Sequence, residues 1–150
     1  MERERGLTLI ELLVVMAVLA MITMLAPAAY DRLLPSMELK RAATDMARDL
    51  RRAQETAVLN AQEASVLIDV ANRRYRGSWE NTARQLPKDT EVTLAAATTE
   101  RRGQSVGGIR FFPDGGSTGG KIRLKRNGTA YDINVDWLLG QVTVERSDAS

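Results

Sequence analysis

Apolar positions are distributed in two different ways along this chain. From Leu12 to Ala29 every residue except Thr23 is apolar, without the polar stripe shown by a helix that lies on a soluble core. Extended back to Leu7, the run takes in Thr8 and Glu11 and covers residues 7–29. At ~1.5 Å per residue such a helix spans the ~30 Å hydrocarbon layer of a bilayer, and a domain of this size has no core thick enough to surround it. A membrane helix is therefore expected over 7–29. Pro27 and Pro35 each remove a backbone donor, which predicts a bend or interruption. With Ser36 as a cap, Leu39, Ala43, Met46, Leu50, Ala53 and Ala57 recur four and three apart, drawing one apolar stripe. Arg41, Arg48, Arg51, Arg52 and Glu55 lie off it. The stripe covers only about three heptads, and half of its positions are alanine, so close packing on a sheet fits it better than a coiled-coil seam.

From Ala64 onward the period changes from helical to two, the sign of strands with one buried face. Val66, Ile68 and Val70 open the series, and Ala71-Asn72-Arg73 turns the chain into a strand over 75–79. Further strands are expected over 90–94, 109–112, 121–126, 129–136 and 141–144, with 95–107 as a mobile loop and 146–150 as a fraying polar tail. Asn127-Gly128 marks the clearest hairpin, because these residues accept the positive φ angles of a tight primed turn. Its inner face is predicted to carry Ile122, Leu124, Tyr131, Ile133 and Val135, and Trp137 is expected in the core.

Composition then narrows the function. The 150 residues carry 21 Lys and Arg against 19 Asp and Glu, a net charge of +2, too small by itself to demand a nucleic acid or anionic membrane. The absence of Cys and His removes thiol nucleophiles, disulfides, Cys/His zinc sites and imidazole bases, and so disfavours most enzymes. No cofactor or metal is expected. Asp114 and Asp136 are candidate calcium ligands, but they lack a ligand ladder; Asp114 is expected to cap a turn. The run Gly115-Gly116-Ser117-Thr118-Gly119-Gly120 lacks the lysine and following helix of a phosphate loop, so a structural turn is expected. Arg73, Arg74 and Arg76, Arg101 and Arg102, and Lys121, Arg123, Lys125 and Arg126 offer a phosphate-contacting surface, with Tyr75 and Trp79 for stacking. A solvated sheet face accounts for the same pattern, and nucleic-acid contact is not expected.

The kind of membrane segment turns on its start. A conventional secretory signal is a rival, with Ala26-Pro27-Ala28 as its small-x-small cleavage site. Against it stand the balanced opening Met-Glu-Arg-Glu-Arg-Gly and the proline within the proposed site. Glu11 is the most informative residue, because a carboxylate in lipid costs several kcal/mol unless it pairs or reaches water. Cleavage between Gly6 and Leu7 would place a new ammonium one helical turn from it.

Arg5-Gly6-Leu7-Thr8-Leu9-Ile10-Glu11-Leu12-Leu13-Val14-Val15 resembles the class III leader and N-terminal helix of type IV pilins and type II secretion pseudopilins. Residues 107–120 with 133–142, from Gly107-Gly108-Ile109 to Asp136-Trp137-Leu138-Leu139-Gly140, resemble the narrower GspH/FimT family of minor pseudopilins and minor pilins. The first resemblance implies prepilin peptidase cleavage at Gly6-Leu7, N-methylation of Leu7 and an assembly role for Glu11. Leu7 stands where the family usually has Phe. The fold implied is α+β and pilin-like, a long helix packed on two small antiparallel sheets. The implied organisation is a leader at 1–6, a transmembrane and filament-core helix at 7–29, its amphipathic continuation at 30–62 and a β-rich periplasmic domain at 63–150.

The function implied is that of a non-enzymatic minor pseudopilin, anchored singly in the inner membrane with its N-terminus cytoplasmic and packed into a periplasmic pseudopilus. The alternative is a minor type IV pilin acting in pilus assembly or DNA uptake. Arg32, Lys40, Arg41 and Arg48 follow the helix while only Arg3 and Arg5 precede it, so the positive-inside rule alone points the other way; the leader motif takes precedence. The implied partners are the prepilin peptidase, other major and minor pseudopilins, the inner-membrane platform with its ATPase, and the secretin. At a filament tip, the Gly-rich and 95–107 loops would face secreted substrate.

Overall fold

The computed structural model describes residues 8–96 and 105–148, with backbone alone for 24–35 and 148. The chain divides into two compact units, Met1–Leu34 and Pro35–Ser150. The first helix, α1, runs Leu9–Asn60 and is helical through both Pro27 and Pro35. The interruption expected there does not occur, and Ser36 lies inside the helix instead of capping it. An interior proline removes one hydrogen bond and crowds one carbonyl, a cost a helix bears when the turns on either side hold.

In the unit Pro35–Ser150 the expected stripe is the buried one. Leu39, Ala43, Met46, Leu50, Ala53 and Ala57 are inaccessible to solvent, as is Ala47 beside them. The alanines let the helix approach its sheets closely, while Leu39, Met46 and Leu50 supply the volume. The helix ends where Ala61 takes a positive φ of 50° and Gln62 N–H donates to Ala57 O at 3.2 Å.

Among the described residues eight strands follow: β1 Ala64–Asp69, β2 Arg74–Gly77, β3 Arg84–Gln85, β4 Glu91–Ala96, β5 Val106–Phe111, β6 Gly120–Arg126, β7 Thr129–Val135 and β8 Val142–Asp148. They form two antiparallel sheets, ordered β3-β2-β1-β5 and β4-β6-β7-β8. Val66, Ile68, Ile109 and Phe111 of the first sheet and Ile122, Leu124, Ile133 and Val135 of the second join the α1 stripe in one core. The chain passes from the second sheet at β4 to the first at β5 and back at β6, so the two sheets are interlaced in sequence.

The β6–β7 hairpin has the register expected. Arg126 faces Thr129, and Asn127 and Gly128 between them have φ of 49° and 77°, the primed turn that those residue types favour. Other boundaries move. Gly77 closes β2 two residues early. β5 begins at Val106, because Gly107 and Gly108 pair with Ile68 and Leu67 although glycines carry no alternation signal. At the far end, Arg146, Ser147 and Asp148 pair with Tyr131, Ala130 and Thr129. Those three residues of the expected fraying tail are thus strand, held by a full-length β7. The middle of the 95–107 loop, 97–104, lies outside the described residues, and so do Arg101 and Arg102.

Candidate functional site

The N-terminal site begins at the edge of what is described: Gly6 and Leu7 lie outside it. Thr8 O accepts the N–H groups of Glu11 at 3.0 Å and Leu12 at 3.2 Å, which opens the helix at Thr8. Glu11 is the acidic residue of the first turn, where the positive end of the helix dipole favours a carboxylate, and it stands three residues after Thr8, the spacing of a capping box. Around it the helix is apolar on every side. Leu9, Ile10, Leu12, Leu13, Val14, Val15, Met16, Val18, Leu19, Met21 and Ile22 are between 50% and 84% exposed within this chain. Thr23 turns its hydroxyl back onto the helix, donating to Leu19 O and Ala20 O. This removes its donor from the surface, as an apolar surrounding requires. Among the described residues no helix is both long and apolar enough to cross a membrane. The expected span 7–29 extends past the described side chains of this stretch, 8–23, at both ends.

The basic residues are largely committed within the fold. Lys121 Nζ and Arg123 Nε lie 2.9 and 2.7 Å from the two oxygens of buried Asp132. The Arg123 hydrogen bond, opposed by burial and aided by Lys121, holds that carboxyl down at about 2. Arg126 meets Glu38, Arg110 meets Glu63, and Arg74 meets Asp69. Asp69 is held below the ordinary carboxylate range first by hydrogen bonds from Asn72. The aromatic platform is not formed: Tyr75 is buried, and Trp79 packs against the core with Arg52 5.6 Å above its ring.

Sequence reasoning missed Asp49, a carboxylate one step off the apolar stripe and 5% exposed. Arg84 Nη1, from the two-residue β3, lies 3.0 Å from its Oδ2, an ion pair without hydrogen-bond alignment. Burial, and next the charge of Asp49, push the Tyr75 phenol above its ordinary value. The group ties β2 and β3 to α1.

The Gly-rich turn is structural, as expected. The N–H groups of Gly115, Ser117 and Thr118 donate to Phe112 O, Trp137 O and Arg110 O, and those of Gly116 and Gly119 donate to Asp114 Oδ1 and Ser117 Oγ. All five donors point inward, leaving no cradle for a phosphate. Asp114 caps this turn at 2.9 Å. Asp136 caps the next one, its Oδ1 accepting the N–H groups of Leu138 at 2.9 Å and Leu139 at 2.7 Å. Both candidate calcium ligands thus accept backbone hydrogen bonds, and among the described residues no group of three or more metal-ligating carboxylates comes together.

The expectation for Trp137 is overturned. It is 67% exposed, with Leu138 and Leu139 exposed beside it. The closure of the β7–β8 connection by Asp136 N–H to Gln141 O, with the Asp136 cap inside it, turns these three side chains outward. Gln54 on α1 pins the connection from below, its Nε2 donating to Gly115 O at 2.9 Å and to Leu139 O at 2.7 Å. Arg51 adds a bond to Val142 O. One helix face thus positions both turns.

Comparison with known proteins places this geometry. A model of the family described as type II transport protein GspH matches residues 42–139, and one of the prokaryotic N-terminal methylation motif matches residues 1–27. The type II secretion system protein H of Xanthomonas campestris pv. campestris is 33% identical over 138 residues, spanning 92% of this chain and 81% of that protein. Solved structures share the fold, two of them as follows. The minor pseudopilin EpsH from the type 2 secretion system of Vibrio cholerae has a TM-score of 0.56 at 18% identity, covering 74% of this chain and 97% of that one. The type IV minor pilin FimU of Pseudomonas aeruginosa has a TM-score of 0.57 at 12% identity, covering 74% and 90%.

Proposed function

The chain belongs to the GspH family of type II transport proteins, and we propose that it works as a minor pseudopilin, a structural subunit of the periplasmic pseudopilus that drives protein export by type II secretion. One observation carries the mechanism: the described start of α1 is apolar on every side yet holds a carboxylate, Glu11, in its first turn. Apolar helices packed side by side in lipid or in a filament have little to choose between one axial register and another. A carboxylate in that low-dielectric layer is costly alone and strongly attracted to a cation. Prepilin peptidase cleavage after Gly6 supplies that cation as the free amine of Leu7, which the same enzyme methylates. Glu11 of an incoming subunit pairs with the amine of a neighbour and sets its register.

On this reading residues 1–6 are the leader, 7–29 the membrane and filament-core helix, 30–62 its amphipathic continuation and 63–150 the periplasmic domain. The subunit is held in the inner membrane with its N-terminus cytoplasmic until assembly, and its role is structural, without catalysis. Its partners are the prepilin peptidase, the other pseudopilins, the inner-membrane platform and the secretin, with secreted substrate reached at the filament tip. The fold is shared with minor pilins, so the fold does not separate secretion from pilus assembly. The 33%-identical secretion relative and the GspH model favour secretion. DNA uptake finds no support in Tyr75 and Trp79, whose rings are taken up by the core and by Arg52.

N-terminal sequencing of the exported protein tests the reading, with a start at Leu7 expected. A start at Ala29 defeats it. Glu11→Ala is expected to abolish incorporation into the filament while the unit Pro35–Ser150, whose core Glu11 does not enter, keeps its melting temperature.

A further inference from the structure

The outward face of the second sheet carries a feature that the register role of Glu11 does not involve. Along one row of that face, Ala95, Lys121, Asn134 and Thr143 are paired across β4, β6, β7 and β8. At the end of these strands lies an open cleft of about 810 Å³. Gly119 and Gly120 line it, and a side chain at either is both strained and crowded. Their φ angles are +66° and +150°, and a Cβ would come within 3.0 Å of Trp137 Cβ at the first and of Ala95 O at the second. The exposed Trp137 stands at one side. Asn134, Gln141 and Thr143 also line the cleft, and their side chains make no hydrogen bond among the described residues. Asp136 reaches it with one oxygen, Oδ1, already committed to two backbone donors.

The chemistry of this lining narrows the ligand. Among the described residues no lysine or arginine lines the cleft, and the nearby Lys121 is paired with Asp132 at 2.9 Å, so these residues offer a phosphate or nucleic acid no free cation. The cleft crosses the ends of the strands and does not follow a free edge, so an extended peptide finds no row of backbone partners. It is open and carries amides and a hydroxyl, unlike a slot for an acyl chain. What fits is a neutral ring with an apolar face and a rim of hydroxyls, because an exposed indole offers a flat apolar surface and each amide offers both a donor and an acceptor.

We propose that this cleft binds a neutral pyranose oligosaccharide. One ring stacks its C–H face on Trp137, and its hydroxyls are bonded by Asn134, Gln141, Thr143 and the free oxygen of Asp136. The bonds from Gln54 and Asp136 fix the backbone of 138 and 139 beside Trp137, so the ordering cost of binding falls on side chains and not on the loop. Rings of this kind occur with N-acetyl groups in wall polymers and without them in soluble glycans, and the two sources are separated by the probes below.

The test uses the full chain in a zwitterionic detergent without a sugar head group. It is titrated with cellotetraose and with tetra-N-acetylchitotetraose by ligand-observed NMR, with tryptophan emission as a second readout in the wild type. Saturable binding of at least one tetrasaccharide is expected, the acetylated one alone pointing to wall polymer. Trp137→Ala is expected to weaken it by ~tenfold or more, and Trp137→Phe by less, because a smaller flat ring remains. Thr143→Ala with Gln141→Ala, both exposed positions, gives a second variant pair that leaves the core untouched and is expected to weaken binding several-fold. No saturable binding of either sugar overturns the proposal, as does unchanged affinity in Trp137→Ala or in the double variant. An extended peptide that displaces the bound sugar from the same residues with higher affinity overturns it in favour of a peptide site.

Discussion

Gly140→Ala is the most informative single change in the described fold. Gly140 has a φ of +61°, where an L side chain costs about 1–2 kcal/mol. A Cβ there would also collide with Gly115 O and Gln54 Nε2. Neither can yield freely. Gly115 O accepts the Gln54 amide at 2.9 Å, and the same nitrogen donates to Leu139 O at 2.7 Å. Making room by turning Gln54 away gives up two hydrogen bonds, each worth about 1 kcal/mol. Together the terms come to about 3–4 kcal/mol, a large share of the roughly 5–15 kcal/mol that holds a domain folded. For a unit the size of Pro35–Ser150 this corresponds to a fall in melting temperature on the order of 10–15 °C. Urea denaturation of wild type, Gly140→Ala, Gln54→Ala and the double variant measures the coupling. Once Gln54 is gone, the Gly140 change should cost only the backbone term and the remaining contact with Gly115 O. Strict additivity of the two single changes, or a Gly140→Ala within 1 kcal/mol of wild type, would refute the claim that this helix side chain holds both turns.

Asp132 is held down at about 2, below the ~3.9 of an unfolded aspartate. Its stabilising effect is therefore complete above about pH 4 and is lost as pH falls through about 2. Acid titration of unfolding should show this window, and Asp132→Asn should remove it while costing about 1–3 kcal/mol at neutral pH. Arg84→Ala removes the cation paired with the Asp49 carboxylate, 5% exposed, and leaves it against the Tyr75 phenol; the change should cost about 2–3 kcal/mol in denaturant unfolding, more than half of it recovered by adding Asp49→Asn. Ala53→Leu forces volume into a fully buried position of the helix–sheet packing and should destabilise by about 1–3 kcal/mol. Val58→Ala, at a position 48% exposed on the same helix, should stay within about 0.5 kcal/mol of wild type.

The parts of this fold that were legible in the sequence are those governed by a single period. The α1 stripe was readable because six residues spaced four and three apart all had to be apolar to lie under a sheet, and they are all inaccessible. The β6–β7 hairpin was readable because alternation on both strands and Asn127-Gly128 between them agree. Where a strand is marked by no alternation, the sequence is mute: Gly107 and Gly108 are paired with β1, yet glycine has no face to bury. Pairing of 146–148 was hidden for a different reason. Polar residues on an outer strand resemble a tail until β7 is known to be long enough to hold them.

The loops that carry the candidate surfaces were the least legible, because what positions them is far away in sequence. Trp137 was expected inside on the strength of its size, since a large apolar ring usually gains by burial. Its outward placement depends on Asp136 folding the next three residues into a capped turn, and on Gln54, which reaches Gly115 and Leu139 across 61 and 85 residues of chain. No local period encodes a bond of that span. Only the Gly-to-Gln geometry at 140 and 54 betrays it, and that requires the fold. Glu11 is the opposite case. A lone carboxylate in a run of apolar residues is conspicuous without any structure, because its cost arises from the surrounding medium and no distant residue of the same chain is needed to account for it. On the proposed reading its partner is the amine of a neighbouring subunit, which is why its variant should leave folding intact and change only assembly.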